Sequence, residues 1–251
     1  MKDKHTLKAS SSTLIKIIIT CLTSILYFCL LIGCETQEIY HGNNITANIE
    51  RSDNRLDLSV DFEVPTSTLP DNTMQTLLTF APVTEYEITM SDGMIYNYNS
   101  DGVLDDGGTI YMKTYSSLSE IEKDLNLDII SSSEIIYPEN ENNFVLEYFP
   151  DSYIFINSAS SKTKEGDASD IRFHINLKGI NNKYGDTIAD ISENIRHEEL
   201  KTKAGNRVDV FIDETKSKAG IYLLSTGYLY SWELNNIQTF DDVKNFVNSL
   251  E

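Results

Sequence analysis

Ile195-Arg-His-Glu-Glu-Leu-Lys-Thr-Lys203, Arg207-Val-Asp-Val-Phe-Ile-Asp213, Lys218-Ala-Gly-Ile-Tyr-Leu-Leu-Ser225 and Tyr228-Leu-Tyr-Ser-Trp-Glu-Leu234 follow one another with only short turns between them. β-Branched and aromatic residues dominate these runs, and the connections at Ala204-Gly205-Asn206 and Thr226-Gly227 carry turn chemistry. They read as a four-strand antiparallel meander. A helix follows, with Thr239 and Asp242 as its cap pair and Phe240, Val243, Phe246, Val247 and Leu250 on one stripe. Asp241 and Asp242 suit the positive end of that helix.

Working outward, Leu56-Asp-Leu58-Ser-Val60-Asp-Phe62-Glu-Val64 alternates strictly, as a strand with one buried face does, and Pro65 ends it. Asp71 to Phe80 predicts a short helix capped by Asp71, with Met74, Leu77 and Leu78 on one side. Strand-like runs follow at 86–90, 94–98 and 109–115. Ser117 and Glu120 then form a capping-box pattern ahead of Leu118, Ile121 and Leu125. Further strands are expected at 144–149, 152–156 and 171–177. The chain shows no βαβ alternation and no Gly-rich phosphate loop, so the class is α+β, mainly antiparallel sheet with a few short helices.

At the other end, Lys2, Lys4, Lys8 and Lys16 precede an uncharged run from Ile17 to Gly33, the layout of a secretory signal. Leu31-Ile32-Gly33-Cys34 resembles the lipobox of bacterial lipoproteins. That resemblance implies a diacylglycerol on the Cys34 thiol, cleavage before it, and anchoring at the outer face of the cell membrane by acyl chains rather than by a spanning helix. The expected organisation is a signal peptide over 1–33, a polar tether from lipidated Cys34 over 34–54, and an α+β extracytoplasmic domain over 55–251. Cys21 and Cys29 leave with the signal, so no disulfide forms within the mature chain.

The stretch from Glu199 to Ile212, with Gly220-Ile-Tyr-Leu-Leu, Tyr228-Leu-Tyr-Ser-Trp232 and Phe240 to Leu250, is similar to the C-terminal module of clostridial and related Gram-positive surface lipoproteins. Similar modules of unknown function occur on the extracytoplasmic ends of anti-sigma factors. The resemblance implies address and fold, and it transfers no catalytic residue.

The 251-residue chain carries a net charge of −19; loss of residues 1–33 leaves 16 basic against 38 acidic residues, or −22. Such a field repels nucleic acid and anionic headgroups, and is compatible with cations, basic partners or solubility alone. Asn97-Tyr-Asn99-Ser-Asp101-Gly102, with Asp105 further on, resembles half of a calcium loop, but position twelve is Gly108 and position one is Asn97. An ordinary hairpin turn uses the same residues. Ser161-Lys-Thr-Lys164 has the spelling of a penicillin-recognising nucleophile without its companion motifs, and reads as a solvated loop. His41 falls in the tether, His174 alone in a strand, and His197-Glu-Glu-Leu lacks a second histidine, so no metal site and no cofactor is expected. Tyr222, Tyr228, Tyr230 and Trp232 read as core, with an aromatic binding surface as the alternative. The expected role is non-catalytic binding or sensing at the cell surface, with an envelope protein or small ligand as partner. The rivals are a lipid-anchored hydrolase or metal-dependent enzyme with a scattered site, and a structural partner in an envelope complex.

Overall fold

The chain enters its fold earlier than the alternation at Leu56 announces. A computed structural model describes residues 37–42, 44–64, 69–80, 82–83, 85–99, 110–138, 142–150, 152–164 and 169–251. Strands β1 (Gln37–His41) and β2 (Ile45–Ser52) occupy most of the stretch expected to be a tether, so the domain begins at Gln37 and not at residue 55. The reason is in β2, where Ile45, Ala47 and Ile49 are buried at period two beneath a polar outer face. The segment 1–33, Cys34 and the larger part of the calcium-like loop, 100–109, lie outside the described residues.

β3 (Arg55–Glu63) pairs with β2 and buries Leu58, Val60 and Phe62 as the alternation predicts. Helix α1 (Asp71–Leu77) follows; its N-cap is Pro70, so Asp71 is its first residue and not its cap. Leu77 is buried but Leu78 is exposed, and Thr73 takes the inward place by donating to the Leu125 carbonyl at 2.6 Å. Then come β4 (Pro82–Val83), the hairpin β5 (Glu85–Thr89) and β6 (Ile95–Asn99), β7 (Ile110–Tyr115) and α2 (Leu118–Leu125). Ser117 caps α2 by accepting from the Glu120 amide, while Glu120 reaches back to the amide of Ser116.

The remaining strands are β8 (Ile135–Ile136), β9 (Phe144–Tyr148), β10 (Ile154–Ser158), β11 (Ser161–Thr163), β12 (Ser169–Lys178), β13 (Lys183–Ile191), β14 (Ile195–Lys201), β15 (Arg207–Asp213), β16 (Lys218–Ser225) and β17 (Tyr228–Asn235). Helix α3 (Phe240–Asn248) closes the chain with both halves of the Thr239–Asp242 capping box in place. Every strand pairing is antiparallel. The large sheet runs β14-β15-β16-β17-β12-β10-β9-β7-β4, and β1-β2-β3-β13 form a smaller one. The expected meander is thus the first four strands of the large sheet, turned at Thr226-Gly227 by two residues of positive φ.

Two unlike layers cover the large sheet. On one face Val208, Val210, Ile221, Leu223, Tyr230 and Trp232 pack with Phe173 and with the inward residues of the three helices. Trp232 stacks on Phe173 at 5.0 Å and meets Phe246 edge-on at 6.0 Å, so the aromatic run Tyr228, Tyr230 and Trp232 is core. On the opposite face Phe211, Tyr222 and Leu229 pack under the small sheet, against Val60, Phe62, Tyr184 and Ile188. Further along that face the β5–β6 hairpin covers Val145 and Ala159 with Met90 and Met94.

The chain changes sheets between β12 and β13. Gly179 stands at that corner because a Cβ there would come within 2.1 Å of the Lys183 carbonyl oxygen. β13 then crosses the meander so closely that a Cβ at Gly220 would meet Ile188 Cδ1 at 2.0 Å. At the next corner the amide and hydroxyl of Ser192 both donate to the buried carboxylate of Asp213, which also receives the Lys216 amide.

Candidate functional site

A cleft of about 170 Å³ opens where the small sheet and the hairpin leave part of the large sheet uncovered. Its floor is set by strand register. Asn157 on β10 is the Cα partner of His174 on β12, His174 of Ser231 on β17, and Ser231 of Tyr222 on β16. Four side chains from distant parts of the sequence therefore form one row on one face. Asp186 and Ile188 of β13 wall the row on one side, Met94 and Tyr96 of the hairpin on the other.

The row is wired in one direction. A carboxylate can only accept, so Glu147 receives the Tyr96 hydroxyl at 3.1 Å and the Asn157 amide nitrogen at 3.3 Å. The same amide nitrogen lies 3.1 Å from the Tyr96 oxygen. That leaves Asn157 Oδ1 facing His174 Nδ1 at 2.5 Å, so Nδ1 carries the ring proton and Nε2 presents its lone pair. His174 sits deep on the cleft floor with part of its ring still accessible. Burial pulls its pKa down, against the opposing charge of Asp186, and holds it neutral. Burial first, then the Glu147 charge, pushes the Tyr96 hydroxyl well above the usual tyrosine range.

At the far end of the row, burial and then the charges of Asp186 and Glu233 raise Tyr222, and its hydroxyl has no hydrogen-bond partner among the described residues. Burial also raises Glu233, against the attraction of Lys218. Ser231 lies directly across from His174, yet no hydrogen bond joins the two among the described residues. The chemistry on offer is that of a binding floor: a neutral imidazole acceptor, hydroxyls and carboxylates held in fixed places.

The other residues singled out in the sequence lie elsewhere. Ser161 is buried in β11 and donates to the Ile171 carbonyl at 3.1 Å, which removes it as a nucleophile and corrects the solvated-loop reading at that position. His41 is on β1, exposed and bonded to Thr46. His197 stacks on Tyr40 at 3.8 Å and bonds Asp209 at 2.8 Å, while Arg207 reaches both Asp209 at 2.9 Å and the Tyr40 hydroxyl at 3.1 Å. This cluster clamps edge strand β1 to the meander. Burial raises the Asp209 pKa, but the hydrogen bonds from His197 and Arg207 outweigh it and hold the carboxyl below its ordinary value. Among the described residues no group of three or more His, Cys, Asp or Glu is placed to hold a metal ion, and no helix is long and apolar enough to cross a membrane.

A larger concavity of about 450 Å³ lies beside α3, lined by Glu134, Lys203, Asp242, Asn245 and Asn248. Asp242 there is spent on the helix cap, accepting from the amides of Gln238 and Thr239. The smaller cleft is the stronger candidate because its polar groups converge from six strands and include a buried, unpaired hydroxyl. Comparison with family models, with curated proteins and with solved structures finds no match to this chain.

Proposed function

We propose that the chain is a lipoprotein, diacylated on Cys34 and held at the outer face of the cell membrane, whose α+β domain binds or senses a small ligand or an envelope partner without catalysing a reaction. The observation that carries the binding role is the polar row on the cleft floor, where Asn157 engages His174 and, among the described residues, no hydroxyl nucleophile is hydrogen-bonded to it. The anchoring role rests on Leu31-Ile-Gly-Cys34 at the end of the uncharged N-terminal run.

Intact mass and membrane partitioning of the protein from a lipidating host, beside Cys34→Ala, test the anchor. The expected result is a wild type that alone loses residues 1–33 and gains a diacylglycerol mass; retention of the N-terminus by both proteins would contradict it. A lipid-anchored hydrolase has one observation in its favour, the position of Ser231 across from His174. Ester hydrolysis that disappears in Ser231→Ala would favour that rival.

A further inference from the structure

The cleft is rich in acceptors and its cations are already occupied. Arg172 at its mouth lies 4.0 Å from Asp92 and 3.8 Å from Asp170, with one guanidinium nitrogen 2.9 Å from the Met94 sulfur. Lys218 donates to the Ala189 carbonyl at 2.9 Å and stands 4.0 Å from Glu233. Asp186, in contrast, faces no cation among the described residues; its Oδ1 accepts only from the amide of the next residue, Thr187, at 2.9 Å. Beside it is the Tyr222 hydroxyl, buried and without a partner on a ring fixed between Phe62 and Phe211. The Nε2 lone pair of His174 is the third acceptor, its orientation dictated by Asn157 and Glu147.

We propose that this cleft is a binding site for a small primary amine, whose ammonium group sits between the Asp186 carboxylate and the Tyr222 hydroxyl with His174 Nε2 within reach. An ammonium brings three donors and no acceptor, the complement of what the floor presents. An anion would meet Asp186 and Glu233 with no free cation among the described residues to offset them. A quaternary ammonium lacks the N–H donors that the carboxylate and imidazole acceptors require, and it needs aromatic faces around it. At about 170 Å³ the space is below the roughly 300–1,000 Å³ of drug-sized sites, which limits the occupant to a few heavy atoms or to the amine end of a longer chain. The net charge of −19 raises the local concentration of such cations. This deepens the binding role proposed above and rests on it.

The test uses the full chain in detergent micelles at constant ionic strength and follows the His174 ring by NMR. Propylammonium, tetramethylammonium, acetate and glycerol are titrated separately to about 0.1 M, where even very weak binding registers. The expected result is a saturable shift with propylammonium alone. Asp186→Asn should weaken it about tenfold or more, and Tyr222→Phe, which keeps the ring, about three- to tenfold. Saturation by acetate, glycerol or tetramethylammonium and not by propylammonium would overturn the amine assignment while leaving a binding role standing. No response to any of the four would overturn the amine assignment and the small-ligand reading of the binding role together. Undiminished binding in a folded Asp186→Asn, shown by an unchanged circular-dichroism spectrum, would overturn the placement.

Discussion

The two faces of the large sheet use the same strands and do opposite things. Alternation along β12, β16 and β17 sends His174, Asn176, Tyr222 and Ser231 to one face and Phe173, Tyr230 and Trp232 to the other, residue by residue along the same runs. The helix-covered face is apolar and stacked, so its contribution is burial. The opposite face gives up part of that burial to hold carboxylates, an imidazole and hydroxyls, each costly to bury unless hydrogen-bonded. A fold with no disulfide among its described residues can keep a polar cleft on one side because the other side is packed with large side chains.

That contrast can be broken from the packed side first. Trp232→Ala removes the ring that bridges Phe173 and Phe246, and should cost about 3–5 kcal/mol, enough to lower the melting temperature sharply or abolish folding. Denaturant unfolding measures it. On the cleft side a tight point is Gly220 under Ile188, where Gly220→Ala should cost about 1–3 kcal/mol because the Ile188 side chain must leave its place to admit a methyl group. A relaxed double variant, Gly220→Ala with Ile188→Val, should recover part of that loss.

Much of the packed face was legible in the sequence and little of the cleft was. The meander, its Thr-Gly turn and the Thr239–Asp242 cap are local signals, carried by residues adjacent or three apart. β1 and β2 are hidden in the sequence because Glu38, His41, Asn48 and Glu50 give an edge sheet a polar outer face that reads as a tether, although Ile45, Ala47 and Ile49 already alternate. The helix at Asp71 is signalled locally but its inward face is not, since Thr73 reaches a carbonyl 52 residues away and Leu78 does not turn inward. His174 stands in the sequence as a lone histidine. Its partners Asn157 and Ser231 join it only through the register of β10, β12 and β17, and the one hint in the sequence is β12 itself, where Arg172, His174, Asn176 and Lys178 alternate with apolar residues.

The smallest expected effect lies in pH. Burial depresses the His174 pKa, so the unfolded chain takes up a proton near pH 6.5 that the folded protein resists. Stability from this residue is therefore complete above about pH 6.5 and declines as the pH falls below it. His174→Gln keeps a donor for Asn157 and removes the titration, so its melting temperature should fall less than that of the wild type between about pH 6.5 and 5. Equal slopes would mean that the imidazole is no more buried in the folded state than in the unfolded chain.

The central claim is that Glu147, through Asn157, fixes the cleft histidine as a neutral acceptor. Nitrogen-15 NMR of the His174 ring reads this directly. The account predicts a protonated Nδ1 and a bare Nε2 at pH 6.5, in an uncharged ring. An Nε2–H tautomer, or an imidazolium at that pH, would contradict it.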